Sequence, residues 1–172
     1  LAHETHGHLL QAHPMISYLC EEMRAVACKL SHICVRSLFF ATDDIVFTAG
    51  EEAKRVFVVT GCELGYHVSR IGQLKPPLSV SEWLAEALLW VTAWRYRGTC
   101  TAVAPSELLV LDSALFADVM GMFADSMLFA QGYGRTIVDM LNSKSSEEWL
   151  DVVRDPDFHP NAIQAGRRMG MR

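Results

Sequence analysis

Residues 43–61, D-D-I-V-F-T-A-G-E-E-A-K-R-V-F-V-V-T-G, carry the clearest pattern in the chain. Ile45 and Phe47 alternate with Val46 and Thr48, the period-two signature of a half-buried strand. Ala49-Gly50-Glu51 breaks the alternation, and Gly50 is free to take a positive φ. Val56, Phe57, Val58 and Val59 restore a strand, and Thr60-Gly61 signals a second turn before Leu64-Gly65-Tyr66-His67-Val68.

Upstream, Pro14 opens a helical pattern in which Ile16, Leu19, Met23, Val26 and Leu30 share one face, predicting a helix over 14–30. Ile33 and Val35 begin the first strand. Lys75-Pro76-Pro77 interrupts the strands as a loop. Ser79-Val80-Ser81-Glu82 has capping-box spacing and predicts a short helix from near Ser81 to about Trp90. Residues 99–104 and 107–111 read as two further strands turned by Pro105-Ser106. Asp112-Ser113 caps a helix with apolar Phe116, Val119, Met120 and Phe123. Gly121 and Gly132 weaken the helical run, with a bend expected near 121–126. Met127, Tyr133, Ile137, Met140 and Leu141 continue it in a second helix. A short helix is expected from Ser145 to about Val153, stopped by Asp155-Pro156, with a loosely ordered tail to Arg172. The order is helix, seven or eight short strands, a small inserted helix, then two helices. This predicts a mainly β protein with flanking helices, a jelly-roll-like β-roll.

Composition narrows the reading. With 172 residues and 51% hydrophobic content, one domain with a real core and an appendage is expected. The net charge of −5 and scattered basic residues, apart from Arg167-Arg168 and Arg172, argue against a nucleic-acid surface. Five cysteines without a C-x-x-C pair fit neither a disulfide framework nor a zinc knuckle, and are read as reduced and cytosolic. The longest apolar stretch, 84–94, is too short for a membrane span and contains Glu86. No signal peptide is visible, and the missing initiator Met fits a segment of a longer chain. His3, His6, His8 and His13 lack a carboxylate or cysteine partner in sequence, so they read as a polar linker helix and not as a metal site. No nucleophile–base or P-loop arrangement occurs, so no enzyme is expected.

Five blocks in order resemble a cyclic nucleotide-binding domain, in particular the cytoplasmic one of voltage-gated and cyclic-nucleotide-regulated cation channels. His13-Pro14-Met15-Ile16 resembles the entry to the family's first helix, and residues 43–61 resemble its opening strands. W-L-A-E-A-L-L-W at 83–90 resembles the phosphate-binding cassette, F-G-E-x-A-L-L. G-T-C-T-A-V-A-P-S-E-L-L-V-L-D at 98–112 resembles the family's closing strands, and Phe116 with Y-G-R-T-I-V-D-M-L-N at 133–142 resembles the lid helix. The resemblance covers residues 9–142 and implies 1–13 as the end of a helical linker, 14–142 as the domain and 143–172 as a tail.

It also implies a ligand, cAMP or cGMP, with Ala85, Glu86, Arg95, Arg97 and Thr99 as ligand-binding residues and no other cofactor. Glu86 stands where the family's ribose-binding Glu stands, and Ala85 replaces a Gly that allows close approach and positive φ. Counting nine residues from Glu86 reaches Arg95, whereas counting back from the closing block reaches Tyr96, so Arg95 and Arg97 flank the expected guanidinium. Two residues apart on an extended strand, they either both line the pocket or both face solvent. Trp83, Trp90 and Trp94 either stack on a purine or fill its cavity. Family members of the eag type fill the pocket with their own tail, and residues 143–172 can do the same with Trp149 or Phe158 as plug. The resemblance thus leaves two functions open: a nucleotide-regulated channel module joined to a pore through its N-terminal linker in a homotetramer, or a nucleotide-free interaction module. A kinase regulatory subunit or a transcription factor is the weaker reading: the His13-Pro14 entry and linker-like start favour the channel, and the absence of a following helix-turn-helix pattern disfavours the transcription factor.

Overall fold

Residues 56–59 and 108–111 are consecutive apolar runs, and strands of that kind bury both faces. The computed structural model describes residues 2–170, with side chains from residue 7 to 170; the readings of His3, His6 and Arg172 concern side chains outside the described residues. The two runs are the middle of one antiparallel sheet with the order β1 (Val35–Phe40), β8 (Ser106–Asp112), β3 (Arg55–Val59), β6 (Trp83–Leu84). Val56 pairs with Leu111 and Val58 with Leu109, and these four point to the helices. Phe57, Val59, Leu108 and Val110 point the other way, into the roll. There they meet the second sheet, of order β2 (Ile45–Phe47), β7 (Thr99–Ala102), β4 (Leu64–Val68), β5 (Gly72–Gln73). Each fully buried Val or Leu contributes about 1.5–3 kcal/mol, so this doubly covered sheet anchors the fold.

The helices cover the outer face. The N-terminal ones are α1 (Ala2–Gln11), α2 (Pro14–Glu22) and α3 (Arg24–Lys29), followed by a π-helical turn at Leu30–Cys34. The single helix expected over 14–30 is therefore broken. Met23 sits at φ −135°, ψ 53°, and a new helix starts from it as Val26 and Ala27 donate to its carbonyl. The apolar spacing persists because Leu19 and Val26 face the same core on either side of the break. Ile33 lies in the π-helical turn, so the first strand starts at Val35. No helix among the described residues is long and apolar enough to cross a membrane.

After β8, Asp112 caps α4 (Ser113–Gly121) by accepting from the Ala114 and Leu115 amides at 3.0 and 3.1 Å. The expected bend falls at Phe123, before α5 (Ala124–Asn142). Three local expectations fail. Trp83 and Leu84 pair with Val58 and Phe57 on β3, so the sheet overrides the capping-box signal and only a 3-10 turn, Glu86–Leu89, remains of the helix at 81–90. The helix expected at 145–153 is likewise one 3-10 turn, Ser146–Glu148. In place of a loosely ordered tail stands α6 (Phe158–Gly170), with Phe158, Ala162 and Gly166 buried at four-residue steps. α6 packs on α5 closely enough that a Cβ on Gly132 would lie 2.6 Å from the Ala165 carbonyl oxygen, and one on Gly166 2.6 Å from the Phe129 ring.

Candidate functional site

The cassette turn is built around Ala85, which holds a left-handed backbone, φ 64° and ψ 31°, ahead of the 3-10 turn. A non-glycine residue there costs about 1–2 kcal/mol. The turn is held by the tail: the Ala85 amide donates to the Asp151 carbonyl at 2.6 Å, and Leu84 forms an antiparallel bridge with Val152. Residues 149–152 thus lie against the cassette, with Trp149, Leu150 and Val152 packed in the roll.

Asp151 is the centre of this contact. Its side chain is 1% exposed. One carboxylate oxygen accepts from the Tyr66 hydroxyl at 2.7 Å and from the Arg97 and Gly98 amides at 2.7 and 3.0 Å. The other accepts from the Trp94 indole at 2.9 Å. Successive backbone amides with an indole and a phenol form a cradle for an anion. Burial pushes the Asp151 carboxyl above its ordinary value, against the pull of these donors. Gly98 is required here, since a Cβ would lie 2.6 Å from the Tyr66 ring. Trp149 stacks on Trp94 at 5.8 Å, and the Arg97 guanidinium lies over both rings at 4.8 and 4.9 Å. Outside the roll, Arg154 closes the clasp: it bonds Glu82 at 2.7 Å and the Pro76 and Pro77 carbonyls at 2.7 and 3.0 Å.

The two arginines part company. Arg95 is exposed and donates to the Gly50 carbonyl at 2.8 Å, while Arg97 turns inward onto the tryptophans. The expectation that both share a face fails because the chain bends at Arg97 instead of running extended. Thr99 accepts from the Ala49 amide at 3.1 Å. The three tryptophans also separate. Trp94 lies in the roll. Trp83 and Trp90 pack with the helical core, Trp83 against His13 at 4.1 Å and Trp90 against Tyr133 at 4.8 Å. Of the two proposed plugs, Trp149 meets the roll, whereas Phe158 is buried among the helices.

Glu86 takes neither an exposed position nor one facing the roll. It is 2% exposed and turns toward the helices. The Tyr133 hydroxyl donates to it at 3.2 Å, and His13 and His159 lie 3.3 and 3.7 Å away. Burial alone would raise this carboxyl; His13, His159 and Tyr133 outweigh burial and hold it below its ordinary value. Sequence reasoning missed Asp151, Tyr66 and His159. The extended signal W-L-D-V-V at 149–153, an acid between apolar residues, is what could have marked Asp151 as buried.

No family model and no curated protein matches the sequence. The fold is that of the cyclic nucleotide-binding domains, a β-roll with flanking helices. The sensor domain of the transcriptional regulator DNR from Pseudomonas aeruginosa is 19% identical, with a TM-score of 0.54 over 81% of this chain and 93% of that one. A cAMP-bound PfPKA-R structure is 16% identical, with a TM-score of 0.55 over 86% of this chain and 50% of that one. The C-linker/CNBHD of zELK channels is 12% identical, with a TM-score of 0.50 over 60% of this chain and 57% of that one.

Proposed function

We propose that this chain is a regulatory domain whose ligand pocket is held by its own tail, and that it serves as the cytoplasmic gating module of a cation channel. The observation that carries the reading is the Asp151 carboxylate seated on four donors inside the roll. An anion already occupies the amides a phosphate would use, and the guanidinium best placed to bind one is spent on Trp94 and Trp149. Cyclic AMP or cyclic GMP therefore has to displace residues 149–152 before it binds. Regulation then consists of tail docking and release, and any ligand or partner shifts that balance by its differential affinity for the two states. The channel context is supported by the linker-like entry at His13-Pro14, the helices ahead of the roll, and the zELK neighbour. In such a parent the N-terminal helices would pass the movement to the pore of a homotetramer.

Calorimetry tests the pocket. With cAMP or cGMP at millimolar concentration, the intact chain is expected to give no saturable heat. Saturable binding by the intact chain that Arg97→Ala abolishes would overturn the reading in favour of a nucleotide-regulated domain.

A further inference from the structure

We propose that His13, Glu86 and His159 form a binding site for a divalent transition cation of the zinc class. The three side chains come from the residue capping α2, the cassette turn and the first turn of α6. Their donor atoms all lie within 4.8 Å of one another. His13 Nε2 and His159 Nε2 stand 3.3 and 3.7 Å from the same oxygen of Glu86. Zinc bonds of about 2.0–2.1 Å put tetrahedral ligand atoms about 3.4 Å apart, so both separations already approach a shared ion.

Proton placement at His159 supports the assignment. The His159 Nδ1 lies 2.8 Å from the Tyr133 hydroxyl, which in turn lies 3.2 Å from the other Glu86 oxygen. With the proton on Nδ1, His159 donates to Tyr133, Tyr133 donates to Glu86, and the Nε2 lone pair faces the cluster. Ligating imidazoles and carboxylates are oriented by hydrogen bonds from outside the ligand set, and here one hydroxyl serves both. His13 is 4% exposed, and its Nε2 has no hydrogen-bond partner despite its nearness to Glu86. That buried, unpartnered nitrogen is aimed into the cluster. Ligation through it moves the His13 proton to Nδ1 and gives up the long 3.3 Å bond that Nδ1 accepts from the Met15 amide. Two imidazoles and one carboxylate leave a fourth position for water. The ion would join α2, the cassette and α6 at one point, on the opposite side of the cassette from Asp151, and the site does not depend on what fills the roll.

Cobalt(II) is the probe, because a four-coordinate Co2+ absorbs in the visible and zinc displaces it. The apo chain is expected to bind one equivalent with d–d bands, which zinc abolishes. His159→Gln, at a partly exposed position, should lose the bands while its circular dichroism stays unchanged. Tyr133→Phe should keep them with affinity weaker by about 10-fold. His67→Gln, an exposed position on β4, is the control and should bind like the parent. Absence of d–d bands in the parent overturns the proposal, and so do bands that persist in His159→Gln or vanish in His67→Gln.

Discussion

At the scale of single residues, Asp151 shows how one buried charge can organise a pocket. Replacing it with alanine leaves the Trp94 indole, the Tyr66 hydroxyl and two backbone amides without their acceptor. Each unsatisfied buried group costs about 1–3 kcal/mol, and relaxation of the tail recovers part of it. Asp151→Ala is therefore expected to lose about 2–4 kcal/mol in urea unfolding, with Asp151→Asn losing less because it keeps an acceptor oxygen. An Ala variant as stable as the parent would contradict the anchoring role. The cysteines give a second residue-scale prediction. Burial pushes the Cys34 thiol up to about 11 and the Cys100 thiol up to about 12. Near neutral pH both are protonated and shielded, whereas Cys28 is exposed. A thiol reagent should therefore modify Cys28 in the native protein and reach Cys34 and Cys100 only on unfolding; mass spectrometry of the labelled peptides checks this.

At the scale of elements, α5 and α6 cross through Gly132 and Gly166. Read locally, glycine in a helix costs about 1 kcal/mol against alanine. In the fold the same residues allow two backbones to approach more closely than a Cβ permits. Gly166→Ala should therefore lower the melting temperature despite its better helix propensity, because the added carbon meets the Phe129 ring and, at 2.9 Å, its carbonyl oxygen. A higher melting temperature would mean that α6 is not packed as described. What the sequence made legible follows the same line between local and distant causes. The strands at 45–47, 55–59, 64–68, 99–102 and 106–112 were readable because alternation, turns and apolar runs are local. The helix at 81–90 was misread because pairing of Trp83 and Leu84 with β3 is decided some 25 residues away. Arg95 and Arg97 were misread for a related reason: their common face assumed a straight strand, and the chain bends at Arg97, whose amide donates to Asp151, 54 positions on. At the site, Ala85 with its positive φ was legible from its place in the cassette pattern. The partners of Glu86 were not, since His13 and His159 reach it from opposite ends of the chain.

At the scale of the whole molecule, the chain's ends converge on the cassette from two sides. The tail enters the roll through Trp149, Asp151 and Val152, and Arg154 ties it to Glu82 outside. On the other face, α2 and α6 meet at His13, Glu86 and His159. The cassette turn is a junction between the body and its own tail. Backbone hydrogen exchange at Ala85, Arg97 and Gly98 tests that account most directly, because each of these amides donates only to the tail residue Asp151 in the contacts described. The account predicts that all three are protected in the intact chain, and that the Arg97 and Gly98 amides, whose acceptor is the Asp151 carboxylate, exchange far faster in Asp151→Ala, while the amides of β3 and β8 stay protected in both. Rapid exchange of the three amides in the intact chain would contradict a pocket held by its own tail.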